Sequence, residues 1–178
     1  MLFYRNADTH YAMATEENAQ EAFAGESQAN RKYSVFSEKA GSEGFPNVAK
    51  IFRAASEAEA IHAKRLLFVL NMVGSTEQNL AGSVEGETHE FTTMYPRFIS
   101  EAQAEKKTEA ETVFTHAMKA ERVHAGRYAA ALEAVRAGKD IEFSALYLCP
   151  VCGNIELNKP PENCPICNVP GRMFREIV

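Results

Sequence analysis

The sequence predicts a mainly α protein: a four-helix bundle followed by a small, metal-bound β domain. Three observations predict it. The first ~138 residues are rich in Ala and Glu, and their Gly and Pro fall mostly at candidate boundaries. A pattern of glutamate and histidine recurs within them, so that two helix pairs share one design. All four cysteines then fall in two C-x-x-C pairs near the C-terminus, and the first 148 residues hold none.

The helices follow in order. Thr15 is the expected N-cap of helix A, with Glu16 and Glu17 in its first turn, and the helix runs to about Ala40. Gly41-Ser42-Glu43-Gly44 is a turn, and Pro46 suits the first turn of helix B. Helix B carries Val48, Ile51, Phe52, Ala55, Ala58 and Ala63 at helical spacing and is expected to end near Val73-Gly74. Ser75 and Gln78 form a capping box for helix C. Pro96 is expected to kink helix C without ending it, because the apolar pattern resumes at Phe98 and Ile99. Lys106 and Lys107 mark a turn, and helix D runs from about Thr108 to Ala137.

Residues 1–140 therefore form the helical domain and 141–178 a second one. The latter holds five of the seven prolines, and Ile141–Phe143 and Met173–Ile177 read as strands. Some 38 residues cannot hold a fold by core burial alone and need a metal or disulfides.

The 178 residues carry a net charge of −5 without a Lys/Arg-rich cluster, which argues against nucleic acid and anionic membranes as partners. Met1 to Thr15 lacks the basic and apolar regions of a signal peptide, and no apolar run approaches the ~20 residues of a membrane span. A cytoplasmic location is expected.

The repeat carries the chemistry. Phe52, Ala55, Ala58, Glu59, His62, Ala63 and Arg65 recur 62 residues later as Phe114, Ala117, Ala120, Glu121, His124, Ala125 and Arg127. Upstream, Glu26 is paired with Glu90 at an offset of 64. Glu59-x-x-His62 and Glu121-x-x-His124 each put a carboxylate and an imidazole on one helix face. Surface glutamates would explain one such motif. Two copies within a repeat, flanked by small or apolar residues, point inward. Glu26 and Glu90 add one carboxylate from each remaining helix, and Glu87 adds another one turn before Glu90. That is the ligand set of di-iron carboxylate bundles.

Buried carboxylates without cations would instead take up protons. Ferric ions neutralise more of their charge than ferrous ions, so such a set makes a reduced iron pair a good reductant. Carboxylate and imidazole suit iron or manganese, and zinc would fill the site without redox chemistry. His10 and His116 have no partner at metal spacing, and His89 is expected to point away. Tyr33 and Tyr95 lie one to two turns past a ligand glutamate, as core packing or as hydrogen-bond donors to it.

Cys149-Pro-Val-Cys152-Gly and Cys164-Pro-Ile-Cys167-Asn are separated by eleven residues, and their four thiolates suit one tetrahedral iron or zinc. Gly153 and Asn168 hold the positions where each knuckle needs positive φ. Tyr147 and Phe174 are expected to cover the site.

Taken together, the sequence resembles the rubrerythrins over nearly its whole length. The resemblance rests on Gly25-Glu26-Ser27-Gln28-Ala29, Glu59-x-x-His62, Gly86-Glu87-Thr88-His89-Glu90, Met94-Tyr95-Pro96, Glu121-x-x-His124 and the two cysteine knuckles. It implies a ferritin-like bundle with a rubredoxin-like domain. It implies two non-haem irons in the bundle, a third iron on Cys149, Cys152, Cys164 and Cys167, and reduction of hydrogen peroxide to water in oxidative-stress defence. Electrons would come from an NADH-linked reductase or a separate rubredoxin. By the same resemblance Glu59 and Glu121 bridge the irons, Glu26 and Glu87 are terminal ligands, and His124 holds one iron. The other iron exchanges Glu90 for His62 on reduction. Tyr33 and Tyr95 match tyrosines that hydrogen-bond the site, and Asn168 replaces the usual glycine. A ferroxidase that handles iron, or a zinc-filled protein without enzymatic activity, are the competing readings.

A ferritin-like bundle has helices B and C parallel. A helix of ~27 residues is ~40 Å long, and ~12 extended residues are needed to span it. Almost nothing separates Val73 from Ser75, so the expected form is a homodimer in which helices A and B of one subunit pack with C and D of the other.

Overall fold

The structure is a computed structural model that describes the backbone from Ala7 and the side chains from Ala14 to Val178. The side chain of His10 and residues Met1–Asn6, which bear on the leader-peptide expectation, lie outside the described residues. The helices are α1 (Ala7–Ser42), α2 (Pro46–Val69), α3 (Thr76–His89), α4 (Tyr95–Ala104) and α5 (Thr108–Arg136), with a π-helical segment, Glu90–Met94, joining α3 to α4. The strands are β1 (Leu146–Leu148), β2 (Ile155–Leu157) and β3 (Arg175–Glu176). Among the described residues no helix is long and apolar enough to cross a membrane. The chain forms two compact units, divided between Val73 and Gly74.

In the first unit α1 and α2 pack as a hairpin. Small residues allow close approach: Ala19, Ala40, Ser56 and Ala63 are buried. A polar knot fixes the register, because Asn30 Nδ2 donates to the Ser56 carbonyl at 2.7 Å and Ser56 Oγ returns a bond to the Asn30 carbonyl at 2.8 Å. Tyr33, Phe36 and Phe52 form an aromatic trio with centroids 5.6–6.3 Å apart. Thr15 does not cap α1. The helix is already formed at Ala7, since 7–14 contain no Gly or Pro to stop it.

In the second unit α3 and α4 pack on α5. The Ser75–Gln78 capping box forms as expected, with Ser75 Oγ accepting from the Gln78 N–H and Gln78 Oε1 accepting from the Ser75 N–H. Tyr95, Phe98 and Phe114 repeat the aromatic trio of the first unit. The chain stays helical through Pro96, which sits in the first turn of α4 after the π segment.

Four helix ends use one device. Gly44, Asn71, Lys106 and Gly138 take positive φ, and the last carbonyls accept in the paired Schellman pattern, as in Gly138 N–H to Val135 and Lys139 N–H to Ala134. Asn71 stops α2 at Val69, earlier than Val73.

The C-terminal sheet has strand order β2-β1-β3, antiparallel on both sides of β1. Ile141–Phe143 is not a strand. Both edges of β1 are taken, and Ile141 and Phe143 instead line an apolar cavity of about 330 Å³ with Leu80, Tyr128 and Leu157. Of Met173–Ile177 only Arg175–Glu176 forms a strand, while Met173 closes a 3-10 turn.

Gly171 is fixed by close approach. A Cβ there would lie 1.7 Å from the backbone oxygen of Pro161, and the Gly171 N–H donates to Glu162 at 2.7 Å. Gly171→Ala is expected to break the cysteine domain and free its thiols to titration with a thiol reagent, while far-ultraviolet helicity stays near wild type. Thiols as protected as in wild type would refute this account.

Candidate metal centres

Each unit builds one carboxylate–histidine set. In the first, Glu26 projects from α1, and Glu59 and His62 project from α2 one turn apart. His62 Nδ1 lies 2.8 Å from Glu59 Oε2 and 3.7 Å from Glu26 Oε1. In the second, Glu87 comes from α3, and Glu121 and His124 come from α5. His124 Nδ1 lies 2.6 Å from Glu121 Oε2 and 3.9 Å from Glu87 Oε2. In each set one ligand atom per residue falls within 4.8 Å of the others. Two ligands on one metal at ~2.0–2.2 Å bonds sit ~3 Å apart, and these separations bracket that value.

Electrostatics describe the same crowding. The Glu26 carboxyl is raised above its usual value, first by a hydrogen bond shared with Glu59 and then by burial. Glu87 is raised by burial and by a hydrogen bond with Glu121. Carboxylates crowded in this way would accept a cation between them. Glu90 stands outside both three-residue sets, yet burial and the Glu87 charge raise it too. Burial raises the Tyr95 phenol, as do the charges of Glu121, Glu90 and Glu87.

The structure revises the repeat. Tyr33 and Tyr95, Phe36 and Phe98, Phe52 and Phe114, and the two E-x-x-H pairs all keep the 62-residue offset. Glu26 corresponds to Glu87, not Glu90, at an offset of 61. The second helix thus holds one extra residue between Glu87 and Tyr95. The π segment absorbs it, with the Tyr95 N–H reaching back five residues to Glu90. Sequence comparison could not see a bond pattern, so it paired the wrong glutamate.

The cysteine centre is compact. Cys149 Sγ and Cys167 Sγ are 3.6 Å apart and Cys152 Sγ and Cys164 Sγ 3.5 Å, with no disulfide formed. Tetrahedral thiolates at ~2.3 Å from one metal would lie ~3.8 Å apart, so the donor set fits such an ion. The knuckles are equivalent: the Gly153 N–H donates to the Cys149 carbonyl and the Asn168 N–H to the Cys164 carbonyl, with φ of 79° and 61°. Buried Phe174 and half-buried Tyr147 pack on the sulfurs.

One contact joins two of these sets within the second unit. His124 Nε2 lies 2.8 Å from the carbonyl oxygen of Gly153, the residue after Cys152. A carbonyl only accepts, so Nε2 carries the proton and Nδ1 faces the carboxylates. His62 has its Nδ1 on Glu59 but is half-exposed. Sequence reading missed Gly153 as a partner of His124. It also missed Arg127, Asn154 and Glu156, which lie beside this contact.

The raised carboxyls set a sign. A carboxyl whose folded pKa exceeds its unfolded value of 4.5 stabilises the fold below 4.5 and loses that stabilisation as pH rises through the folded value. The metal-free protein should therefore melt higher near pH 5 than at pH 7.5. Divalent metal should raise the melting temperature most at the higher pH, where the carboxylates are ionised. Calorimetry with and without metal reads both, and a metal-induced rise independent of pH would contradict the assignment.

Known proteins place the chain. The family model described as Rubrerythrin matches residues 17–132, and that of the rubrerythrin rubredoxin-like domain matches 147–175. Rubrerythrin-2 of Clostridium acetobutylicum is 35% identical over 175 residues, covering 90% of this chain and 95% of that one. Nigerythrin of Nitratidesulfovibrio vulgaris is 38% identical over 183 residues, covering 94% and 89%. Nigerythrin solved in a partially reduced state superposes with a TM-score of 0.55 at 35% identity, over 92% of this chain and 86% of that chain. The ferritin-like helices, the four-cysteine domain and these relatives agree: the chain belongs to the rubrerythrin family.

Proposed function

We propose that the chain is a non-haem di-iron peroxidase that reduces hydrogen peroxide to water in oxidative-stress defence. One observation carries this reading: a four-thiolate set and a carboxylate–histidine set are joined by the His124–Gly153 hydrogen bond. A site with four protein thiolates has no open position for substrate. Beside a second set, its use is to pass electrons. Iron in these sites would supply two electrons to peroxide, which with two protons gives two waters, and would be refilled through the thiolate centre. Nigerythrin, solved in partially reduced and fully reduced (all ferrous) states, favours iron in a relative.

The residues' roles follow the family pattern. Glu26, Glu59, Glu87, Glu121 and His124 would hold the two irons, with Glu59 and Glu121 shared between them and Glu26 and Glu87 each on one, and Glu90 and His62 would alternate as ligands. Tyr33 and Tyr95 border the site. The working division is 1–140 for the carboxylate sites and 141–178 for the thiolate centre. Cysteines that serve as metal ligands and not in disulfides suit a cytoplasmic setting, with an NADH-linked reductase or a rubredoxin as donor.

Neither carboxylate set is complete alone, and we propose that a homodimer completes them. The α2–α3 connection, Leu70–Ser75, is six residues. Running back along a 24-residue helix of ~36 Å takes about eleven. Phe36, Ile51, Ile61 and Phe68 are exposed on α1 and α2, an apolar surface that a second copy would cover.

Three experiments test these readings. In anaerobic stopped-flow, the reduced iron-loaded protein should reoxidise much faster with peroxide than with oxygen. Cys149→Ser should abolish steady-state peroxide turnover with the bundle iron intact. Equal or faster reaction with oxygen would favour a ferroxidase. For the dimer, Glu59→Gln and Glu121→Gln should each be inactive. Refolding them together in equal amounts should restore about a quarter of wild-type activity, since each mixed dimer regains one intact site in two. No recovery would mean that each site is built from one chain.

A further inference from the structure

The contact between α5 and the first cysteine knuckle is held by more than His124. Arg127 lies one turn further along the same face of α5. Its Nη2 donates to the carbonyl of Ile155 at 3.4 Å and lies 3.6 Å from Glu156 Oε2. The other oxygen of Glu156, Oε1, accepts from Asn154 Nδ2 at 2.9 Å. Asn154 is fully buried, and its backbone oxygen accepts the Cys149 N–H at 2.9 Å. Gly153 between them faces Ala120 of α5, which is 1% exposed; a Cβ on Gly153 would come within 4.0 Å of the Ala120 Cβ.

This cluster is costly to assemble. Arg127 Nε and Asn154 Oδ1 are buried without hydrogen-bond partners. Polar atoms left so are uncommon in native proteins and need an explanation. A sheet of strands only two or three residues long has no need of a charged tie to a helix for its own pairing. The tie instead constrains where the knuckle sits on α5.

We propose that Arg127, Asn154 and Glu156 are positioning residues that latch the first cysteine knuckle onto α5, so that the Gly153 carbonyl stays on His124 Nε2. The latch would hold the thiolate set and the second carboxylate set at one separation, joined by one hydrogen bond and the short covalent run from Gly153 to Cys152. The guanidinium supplies the positive charge and Glu156 the negative. Asn154 fixes Glu156 to the backbone of the knuckle. This inference rests on the reading of His124 and Cys152 as ligands of two centres that exchange electrons.

A charge-reversal cycle on the full-length protein tests it. In the zinc-loaded protein, which is silent in redox chemistry, amides 150–157 should tumble with those of α5 by 15N relaxation. The His124 Nε2–H should give a slowly exchanging resonance. Arg127→Glu or Glu156→Arg should uncouple the tumbling and lose that resonance, and the double variant should recover both. Glu156→Gln, a milder change, should show a partial loss. In the iron-loaded protein the single reversals should slow electron transfer between the two centres by about tenfold or more, and the double should restore it. Relaxation, resonance and transfer rate unchanged in the single variants would overturn the latch. Coupled tumbling lost in the single variants and recovered in the double, with no peroxide turnover in wild type, would leave the latch standing and sink the peroxidase reading.

Discussion

Everything in this chain is arranged around the cost of bringing carboxylates together. Glu26 stands beside Glu59 and Glu87 beside Glu121, and this crowding with burial raises the Glu26 and Glu87 carboxyls above their usual range. Helices are the economical frame for such a set. Residues three apart stack on one face, and alanines at crossing points let two helices approach until side chains of different helices meet. The buried core is accordingly small-residued: Ala19, Ala40 and Ala63 in one unit, Ala102, Ala120 and Ala125 in the other. Bulkier packing is supplied by the two aromatic trios, one of which brings Tyr95 up to the carboxylates.

The cysteine domain solves a different problem. Its short strands bury little, and its buried cluster is made of the sulfurs and the rings that cover them. Close backbone contacts at Gly171 and the two positive-φ residues of the knuckles replace a hydrophobic core. It is attached to α5 through atoms that neighbour the sulfurs. The least self-sufficient piece of the protein is therefore tied to the helix that carries Glu121 and His124.

Much of this was legible in the residues. The capping box at Ser75, the turn at Gly138 and the positive φ of Gly153 and Asn168 are local, and local stereochemistry can be read from residue type. The E-x-x-H motifs were legible because 3.6 residues per turn converts spacing into geometry. What failed depended on neighbours or on bond patterns. Thr15 looked like a cap, but nothing before it breaks a helix. Ile141–Phe143 had strand composition, yet no strand edge was left for it. Glu26 was paired with Glu90 because the shift that makes Glu87 its counterpart is absorbed by a change in hydrogen bonding that leaves no compositional trace. Contacts across the second unit, such as Arg127 with Glu156, join residues far apart in sequence and could be found only in three dimensions.

The π segment has a further bearing on how such a chain can change. Inside a continuous α-helix, gaining or losing one residue turns everything beyond it by about 100°. Ligands and packing residues on either side of the change then face different ways. Between Glu87 and Tyr95 the extra residue is looped out within the helix, so Phe98 still meets Phe114 and the carboxylate still faces inward. The segment is a point of slack in an otherwise rigid rod. It lets the chain alter its length beside the carboxylates without re-aiming the aromatics, and it makes two halves of one design unequal by a single residue.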